Sequence, residues 1–80
     1  PHARPGEVSM ATLKSLISTL EYLNENLSLA HYQAITLSHN YSAIFEQDPE
    51  TWARFTVLAN DIEQTTKAIQ SLTEELKERR

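Results

Sequence analysis

Cysteine is absent from the 80 residues, and glycine occurs only once. Without cysteine the chain cannot form a disulfide framework or a thiolate metal site, and a reducing compartment such as the cytoplasm is the expected location. With a single glycine there is no glycine-rich loop of the kind that cradles phosphate groups. These absences exclude several classes of enzyme and of secreted domain.

A surplus of basic residues and a long apolar run are also missing. The formal net charge is −4, which argues against binding to a phosphate backbone. No stretch approaches the roughly 18 apolar residues of a membrane-spanning helix, and the beginning lacks the charged and apolar segments of a secretory signal. We therefore expect a protein that neither binds nucleic acid nor spans a membrane.

Proline and glycine are concentrated at the beginning of the chain. Residues 1–9 hold two of the three prolines and the only glycine, and the regular apolar pattern begins after Met10. We interpret residues 1–9 as a disordered leader, a leftover linker, and residues 10–80 as the folded domain with Met10 as its native start.

Two apolar series with alternating spacings of three and four residues run through that domain. Such spacing is typical of helices that pack through a heptad seam. The first series consists of Leu13, Leu16, Leu20, Leu23, Leu27, Ala30, Ala34, Leu37, Tyr41 and Ile44. The second series consists of Phe55, Leu58, Ile62, Thr65, Ile69, Leu72 and Leu76. We call these two series together the predicted seam.

The two series share a common register. If the chain folds back between them, Ile44 pairs with Phe55 and Leu23 with Leu76, and every pair of residue numbers in between has the same sum. Independent helices would have no reason to keep such a register, so the sequence predicts an all-α fold, an antiparallel two-helix hairpin of coiled-coil type. The alternative is a break near Asn24–Ser28, where residues of mediocre helix propensity cluster, which would give three helices.

The turn of this hairpin is predicted at Glu46–Pro49. Pro49 disfavours helical geometry at Asp48 and suits the first position of a helix, where no N–H group is needed. Asp48 is therefore the predicted N-cap of the second helix, with a carboxylate that accepts hydrogen bonds from the free N–H groups of the first turn.

The segment from Asn26 to Phe45 contains no charged residue, although a solvated helix face usually carries charge. Away from the predicted seam the first helix carries apolar and aromatic side chains, which we call the back face. The back face consists of Tyr22, Leu29, Tyr32, Ile35 and His39. Two interpretations remain open: burial in a three-helix or self-associated core, and a docking face for another protein.

Residues that could carry chemistry are few. His31 and His39 are separated along one helix by a rise of roughly 12 Å, so they cannot share a metal ion. Glu74, Glu75 and Glu78 cluster near the end of the chain, where no pocket is expected to shift a pKa. We predict no catalytic residue, no metal, no cofactor and no enzymatic activity.

Residues after the turn resemble a known family. The run Asp48-Pro49-Glu50-Thr51-Trp52, followed by Thr56, Leu58, Ile62-Glu63-Gln64 and Ile69, is similar to the second helix of the small type III secretion co-chaperones of the EscE, SsaE and YscE kind. Those proteins are short, acidic helical hairpins. The resemblance covers residues 48–69 in detail and the remainder only as architecture and length.

The resemblance implies a virulence-associated function in the bacterial cytoplasm. A co-chaperone of this family pairs with a tetratricopeptide-like chaperone, and together they keep the needle subunit soluble before export. On this interpretation the partner is another protein, bound through the back face.

The alternative function is a self-assembling structural hairpin, such as a needle-like subunit or a four-helix homodimer. Needle subunits are also short helical hairpins, but a filament needs a second apolar surface that reaches the C-terminal end, and this chain ends in charged residues. A third class, a small RNA-binding dimer, would be expected to have a basic face, which the sequence lacks.

Overall fold

The computed structural model describes residues 9–79, and these residues are almost entirely helical. The elements are α1 (Met10–Asn40), α2 (Ser42–Gln47) and α3 (Pro49–Glu78). The all-α prediction is confirmed, and the two long helices α1 and α3 pack against each other. The predicted leader lies outside the described residues, with the exception of Ser9.

Ser9 begins the folded part of the chain as the N-cap of α1. Its backbone is extended, and its hydroxyl oxygen accepts a hydrogen bond from the Thr12 N–H at 3.1 Å. From there α1 continues through Asn24–Ser28 without interruption. The break considered at that point is absent, because the periodic packing of the surrounding apolar residues outweighs the mediocre propensity of the segment.

The helix is interrupted instead at Tyr41, which separates α1 from α2. The Tyr41 N–H still donates to the Leu37 carbonyl at 3.0 Å, and the Phe45 N–H donates to the Tyr41 carbonyl at 3.2 Å. The Ser38 hydroxyl donates to the Ile35 carbonyl at 2.6 Å. Hydroxyl bonds of this kind compete with the helical ladder and often bend a helix.

The turn into α3 is shorter than predicted. Glu46 and Gln47 belong to α2, and Pro49 is the first residue of α3, so that Asp48 alone connects the two helices. Asp48 is the N-cap, as predicted. One carboxylate oxygen accepts from the Thr51 N–H at 3.2 Å and the other from the Thr51 hydroxyl at 2.7 Å.

The contact between α1 and α3 is made by two rows of side chains on each helix. The row that we call the shared row contains Leu13, Leu20, Leu27 and Ala34 on α1, and Phe55, Ile62, Ile69 and Leu76 on α3. The row that we call the inner row contains Ile17, Asn24, His31, Ser38 and Phe45, and Ala59, Thr66 and Thr73 on α3. All of these residues are buried or half-buried, and the two rows together form the contact face.

This contact face differs from the predicted seam by a rotation of both helices. The shared row belongs to both the predicted seam and the contact face. The other positions of the predicted seam are replaced at the contact face by the inner row, whose residues each lie one position later in the chain. Large side chains that were predicted to lie between the helices are instead 38–61% exposed, namely Leu16, Leu23, Leu37, Tyr41, Ile44, Leu58 and Leu72. The prediction that these residues fill the seam is therefore wrong.

The physical reason lies in the small size of the inner-row residues on α3. Ala59, Thr66 and Thr73 have short side chains, so the backbones of the two helices can approach closely along this row. The Thr66 and Thr73 hydroxyls donate to the carbonyls of Ile62 and Ile69, both at 2.7 Å, and so need no partner on α1. Bulky leucines in the same place would hold the helices apart.

Contacts at both ends establish which parts of the two helices meet. At one end, Phe45 of α2 packs against Trp52 and Phe55 of α3, with ring centroids 5.1 and 5.2 Å apart. At the other end, the Lys77 ammonium lies 3.1 Å from a Glu21 carboxylate oxygen. The molecule is thin and long, with principal extents of 63 × 19 × 18 Å.

Candidate interaction surfaces

The back face is exposed along α1. Tyr22, Leu29, Tyr32 and Ile35 are between 45% and 67% exposed, and His39 is also exposed. Seven-residue spacing places Tyr22 in line with Leu29, and Tyr32 in line with His39, on the side of α1 away from α3, whereas Ile35 lies towards one flank. From Tyr22 to His39 the surface extends for about 25 Å along the helix.

Polar groups on and beside the back face are partly satisfied within the helix. The Thr36 hydroxyl donates to the Tyr32 carbonyl at 3.1 Å, and the Ser38 hydroxyl donates to the Ile35 carbonyl at 2.6 Å. A hydroxyl that already bonds its own backbone loses less on leaving water. The back face is therefore less hydrophilic than its composition indicates, while its tyrosine hydroxyls can still bond a partner or water.

One flank of the contact face is polar, and we call it the polar face. Glu21 bonds Lys77 across the two helices, and the Lys77 ammonium also lies 3.6 Å from Glu74. The hydrogen bond and charge of Glu21, together with the charge of Glu74, raise the pKa of Lys77. Further along this flank Ser28 and His31 line an open cleft with residues of α3 that include Glu63 and Lys67. Charged and hydrogen-bonding side chains of this kind are well solvated, so this flank is suited to remain exposed to solvent.

The opposite flank is apolar, and we call it the open face. The open face consists of Leu16, Leu23, Leu37 and Ile44 on the α1–α2 side and Leu58 and Leu72 on α3. Glu21 and Lys77 meet across the polar face, and the open-face leucines lie roughly 140° around each helix from these two residues. Both apolar rows are therefore on the same side of the packed helices α1 and α3, away from the polar face.

The residues of the open face belong to the predicted seam, so the sequence pattern did not indicate this surface as a candidate site. A signal for it was present in the pattern. Ile17 lies next to Leu16 in the sequence and widens the apolar arc of α1 beyond what one neighbouring helix can cover. When the apolar arc of each of two packed helices is wider than their mutual contact, a further surface is needed to bury the remainder.

Polar atoms at the contact face are not all satisfied. The Asn24 side-chain oxygen and His31 Nδ1 are buried without a hydrogen-bond partner. Among residues 9–79, no group of three or more potential ligands is placed to hold a metal ion. The same residues contain no helix that is both long and apolar enough to cross a lipid bilayer.

Comparisons with known proteins give no match. No protein-family model matches the chain, and the curated proteins and the solved structures contain no significant match to it either. The resemblance of residues 48–69 to the secretion co-chaperones therefore rests on the residues of that segment.

Proposed function

We propose that this chain is a protein-binding co-chaperone of a type III secretion system, which pairs with a tetratricopeptide-like chaperone through the back face. One observation carries the proposal: Tyr22, Leu29, Tyr32 and Ile35 are all at least 45% exposed, and the last three lie in the uncharged segment from Asn26 to Phe45. An exposed apolar surface that is contiguous and rich in tyrosine is typical of a binding site.

We also infer that α1 and α3 run antiparallel. The contact of Phe45 with Phe55 and the contact of Glu21 with Lys77 support this arrangement, because residue numbers rise along α3 as they fall along α1. Asn24 and Thr73 line the same cleft between these two contacts. The sums of these pairs lie between 97 and 100, close to the register predicted from the sequence.

A rigid helical face suits a partner built from helical repeats. Such a partner has a concave surface lined by helices, and a straight helix that presents side chains at spacings of three, four and seven residues fits a groove of that kind. Tyr22 and Leu29 are seven residues apart, and so are Tyr32 and His39, so each pair lies in line on the surface of α1.

The wider role follows from the resemblance of residues 48–69 to the co-chaperones. In the bacterial cytoplasm the complex would keep the needle subunit soluble before export, and the chain would act by binding and not by catalysis. The absence of charge on the back face favours an apolar groove in the partner.

The test replaces Leu29 and Tyr32 with glutamate in one variant. Each new carboxylate would have to leave water on entering an apolar groove, so we expect recovery of a tetratricopeptide-like chaperone in a pull-down from the native host to fall by at least about tenfold. Mass spectrometry of the recovered proteins measures the loss. Helical circular dichroism of the isolated variant should match that of the unmodified chain, since both residues are exposed.

The matched control places two glutamates on the exposed side of α3, as Gln64→Glu with Ser71→Glu. This variant adds the same charge and should keep the partner. If both double variants lose the partner, net charge and not the back face governs binding. If the Leu29→Glu/Tyr32→Glu variant binds normally, the back face is not the site.

A further inference from the structure

The apolar arc of each helix is not centred on the other helix. Adjacent rows of a heptad helix are about 50° apart. The contact direction lies between the shared row and the inner row, whereas the apolar arc is centred between the shared row and the open face. On both helices the centre of the apolar arc is therefore rotated by about 50° from the neighbouring helix, towards the open side of the hairpin.

The size of this rotation indicates how many helices a bundle needs in order to bury the apolar arc. In an isolated pair the apolar arc points at the neighbour, in a triangle of helices it points about 30° away from each neighbour, and in a square bundle about 45° away. The value of about 50° agrees best with the square arrangement. A hairpin supplies two helices of such a bundle, and a second identical hairpin supplies the other two.

We propose that the open face is covered by a second copy of this chain, giving a four-helix homodimer in which the two α3 helices run antiparallel. The two-fold axis passes close to Thr65, an exposed residue on the α3 side of the open face. About this axis Leu58 lies opposite Leu72 of the second copy. The small Ala30 then lies opposite the larger Leu37 of the second copy, which allows the two α1 helices to interdigitate.

The charges beside the open face favour this orientation. The row of α3 that borders it on the outside contains Arg54, Asp61, Ala68 and Glu75. With Thr65 at the axis, Arg54 lies opposite Glu75 of the second copy and Asp61 lies opposite Ala68 of the second copy. Opposite charges meet at both ends of the contact and like charges meet nowhere along it, which is the complementarity expected of a specific antiparallel pair.

The size of the face is sufficient for a stable dimer. The 30 residues of α3 extend for about 45 Å, and two helices side by side are about 20 Å wide. Such a face covers on the order of 800 Å², so two faces would bury about 1,600 Å², which is the standard size of a stable interface.

The dimer leaves the back face free on both copies. Tyr22, Leu29 and Tyr32 point away from both α3 and the open face, so each copy can still hold a partner. The inference is thus independent of the proposed function, and the two can fail separately.

The first experiment measures the mass of the intact chain in solution by light scattering at about 100 μM, well above micromolar dissociation constants. Two copies of 9.1 kDa give 18.2 kDa, and we expect that mass. Leu58→Glu with Leu72→Glu should halve it while helical circular dichroism is retained, because both residues are exposed in the single hairpin. The control Gln64→Glu with Ser71→Glu should remain dimeric, as should the back-face variant Leu29→Glu/Tyr32→Glu.

The second experiment uses the absence of cysteine to test the orientation in an otherwise unmodified chain. Thr65→Cys should form a disulfide between two copies under mild oxidation, because the two-fold axis brings residue 65 opposite itself. Ser71→Cys, on the solvent side of α3, should not. Arg54→Glu and Glu75→Arg should each lower the dimer fraction, and the double variant should restore it.

Several outcomes would overturn the proposal. A mass of 9.1 kDa, a tetramer or a filament would do so, as would crosslinking that is equally efficient through Thr65→Cys and Ser71→Cys. A monomer that loses a helical-repeat chaperone on Leu58→Glu would show that this partner, and not a second copy, covers the open face. Failure of the charge swap to restore the dimer would contradict the antiparallel orientation.

Discussion

Leu16 and Ile17 are adjacent in the sequence but lie in different environments. Ile17 is 2% exposed, whereas Leu16 is 44% exposed at one end of the open face. The cost of truncating a side chain depends on how completely it is buried. These two neighbours therefore test the rotation of α1 by a single pair of substitutions.

We expect Ile17→Ala to lower the free energy of unfolding by about 2–4 kcal/mol, since it leaves a cavity at a fully buried position. Leu16→Ala should cost less than about 1 kcal/mol, because much of its side chain is already in water. Urea denaturation of the two variants at equal protein concentration measures both values. The predicted seam requires the opposite order, so a larger loss of free energy of unfolding for Leu16→Ala would support the predicted seam in place of the contact face.

The rotation of the helices has an energetic cost, because it buries polar residues of the inner row. Burying the unpartnered oxygen of Asn24 costs about 1–3 kcal/mol, and His31 Nδ1 is unpartnered as well. A rotation that turned Leu23 inward in place of Asn24 would avoid this cost in a single chain. In the proposed homodimer Leu23 would be buried between the two copies, which would offset the cost of burying Asn24.

The start of α3 depends on one pair of residues, Asp48 and Thr51. The Thr51 hydroxyl and the Thr51 N–H both donate to the Asp48 carboxylate, and these bonds lower the pKa of Asp48. The bonds favour the ionised carboxylate. Their contribution to stability is therefore present above the pKa of the unfolded chain and is lost as the pH falls through the lower pKa of the folded state.

We expect Thr51→Val to raise the pKa of Asp48 towards its ordinary value, because it removes the hydroxyl, the largest cause of the shift. An NMR titration of the Asp48 carboxyl carbon measures this change. Thr56→Val, which alters another exposed threonine of α3, is the control and should leave the pKa of Asp48 where it is. An unchanged pKa in Thr51→Val would mean that the backbone N–H alone holds the carboxylate.

The limits of the helices could be predicted more closely than their rotation. Asp48-Pro49 determines the start of α3 through local chemistry, since a cap and a proline act on their immediate neighbours. The rotation about the helix axis depends on which part of a wide apolar arc meets α3, and Leu16 and Ile17 satisfy an apolar pattern equally well. The sequence left open whether the back face is buried or exposed, and Tyr22 and Leu29 are exposed in the single chain because no element packs against them.

At the scale of the whole molecule, little of the described chain is deeply buried. Among residues 9–79 the buried apolar side chains are Ile17, Ala34 and Leu76, in a molecule 63 Å long and 19 Å wide. Small domains bury a small share of their surface and are correspondingly marginal. Burial of the open face and the back face in an assembly would supply the apolar contacts that the hairpin lacks.

The pairing of α1 with α3 can be tested with an engineered disulfide. Asn24 and Thr73 line the same cleft and both belong to the inner row, so Asn24→Cys with Thr73→Cys should form a disulfide within one chain under mild oxidation. The fraction of oxidised monomer on a non-reducing gel and the loss of two hydrogen atoms from its intact mass measure the bond. Asn24→Cys with Ser71→Cys is the control, since residue 71 lies on the far side of α3 and should leave both thiols free. If the first variant crosslinks only between chains, the two helices of one hairpin do not pair in this register, and both the antiparallel arrangement and the geometry of the open face would have to be abandoned.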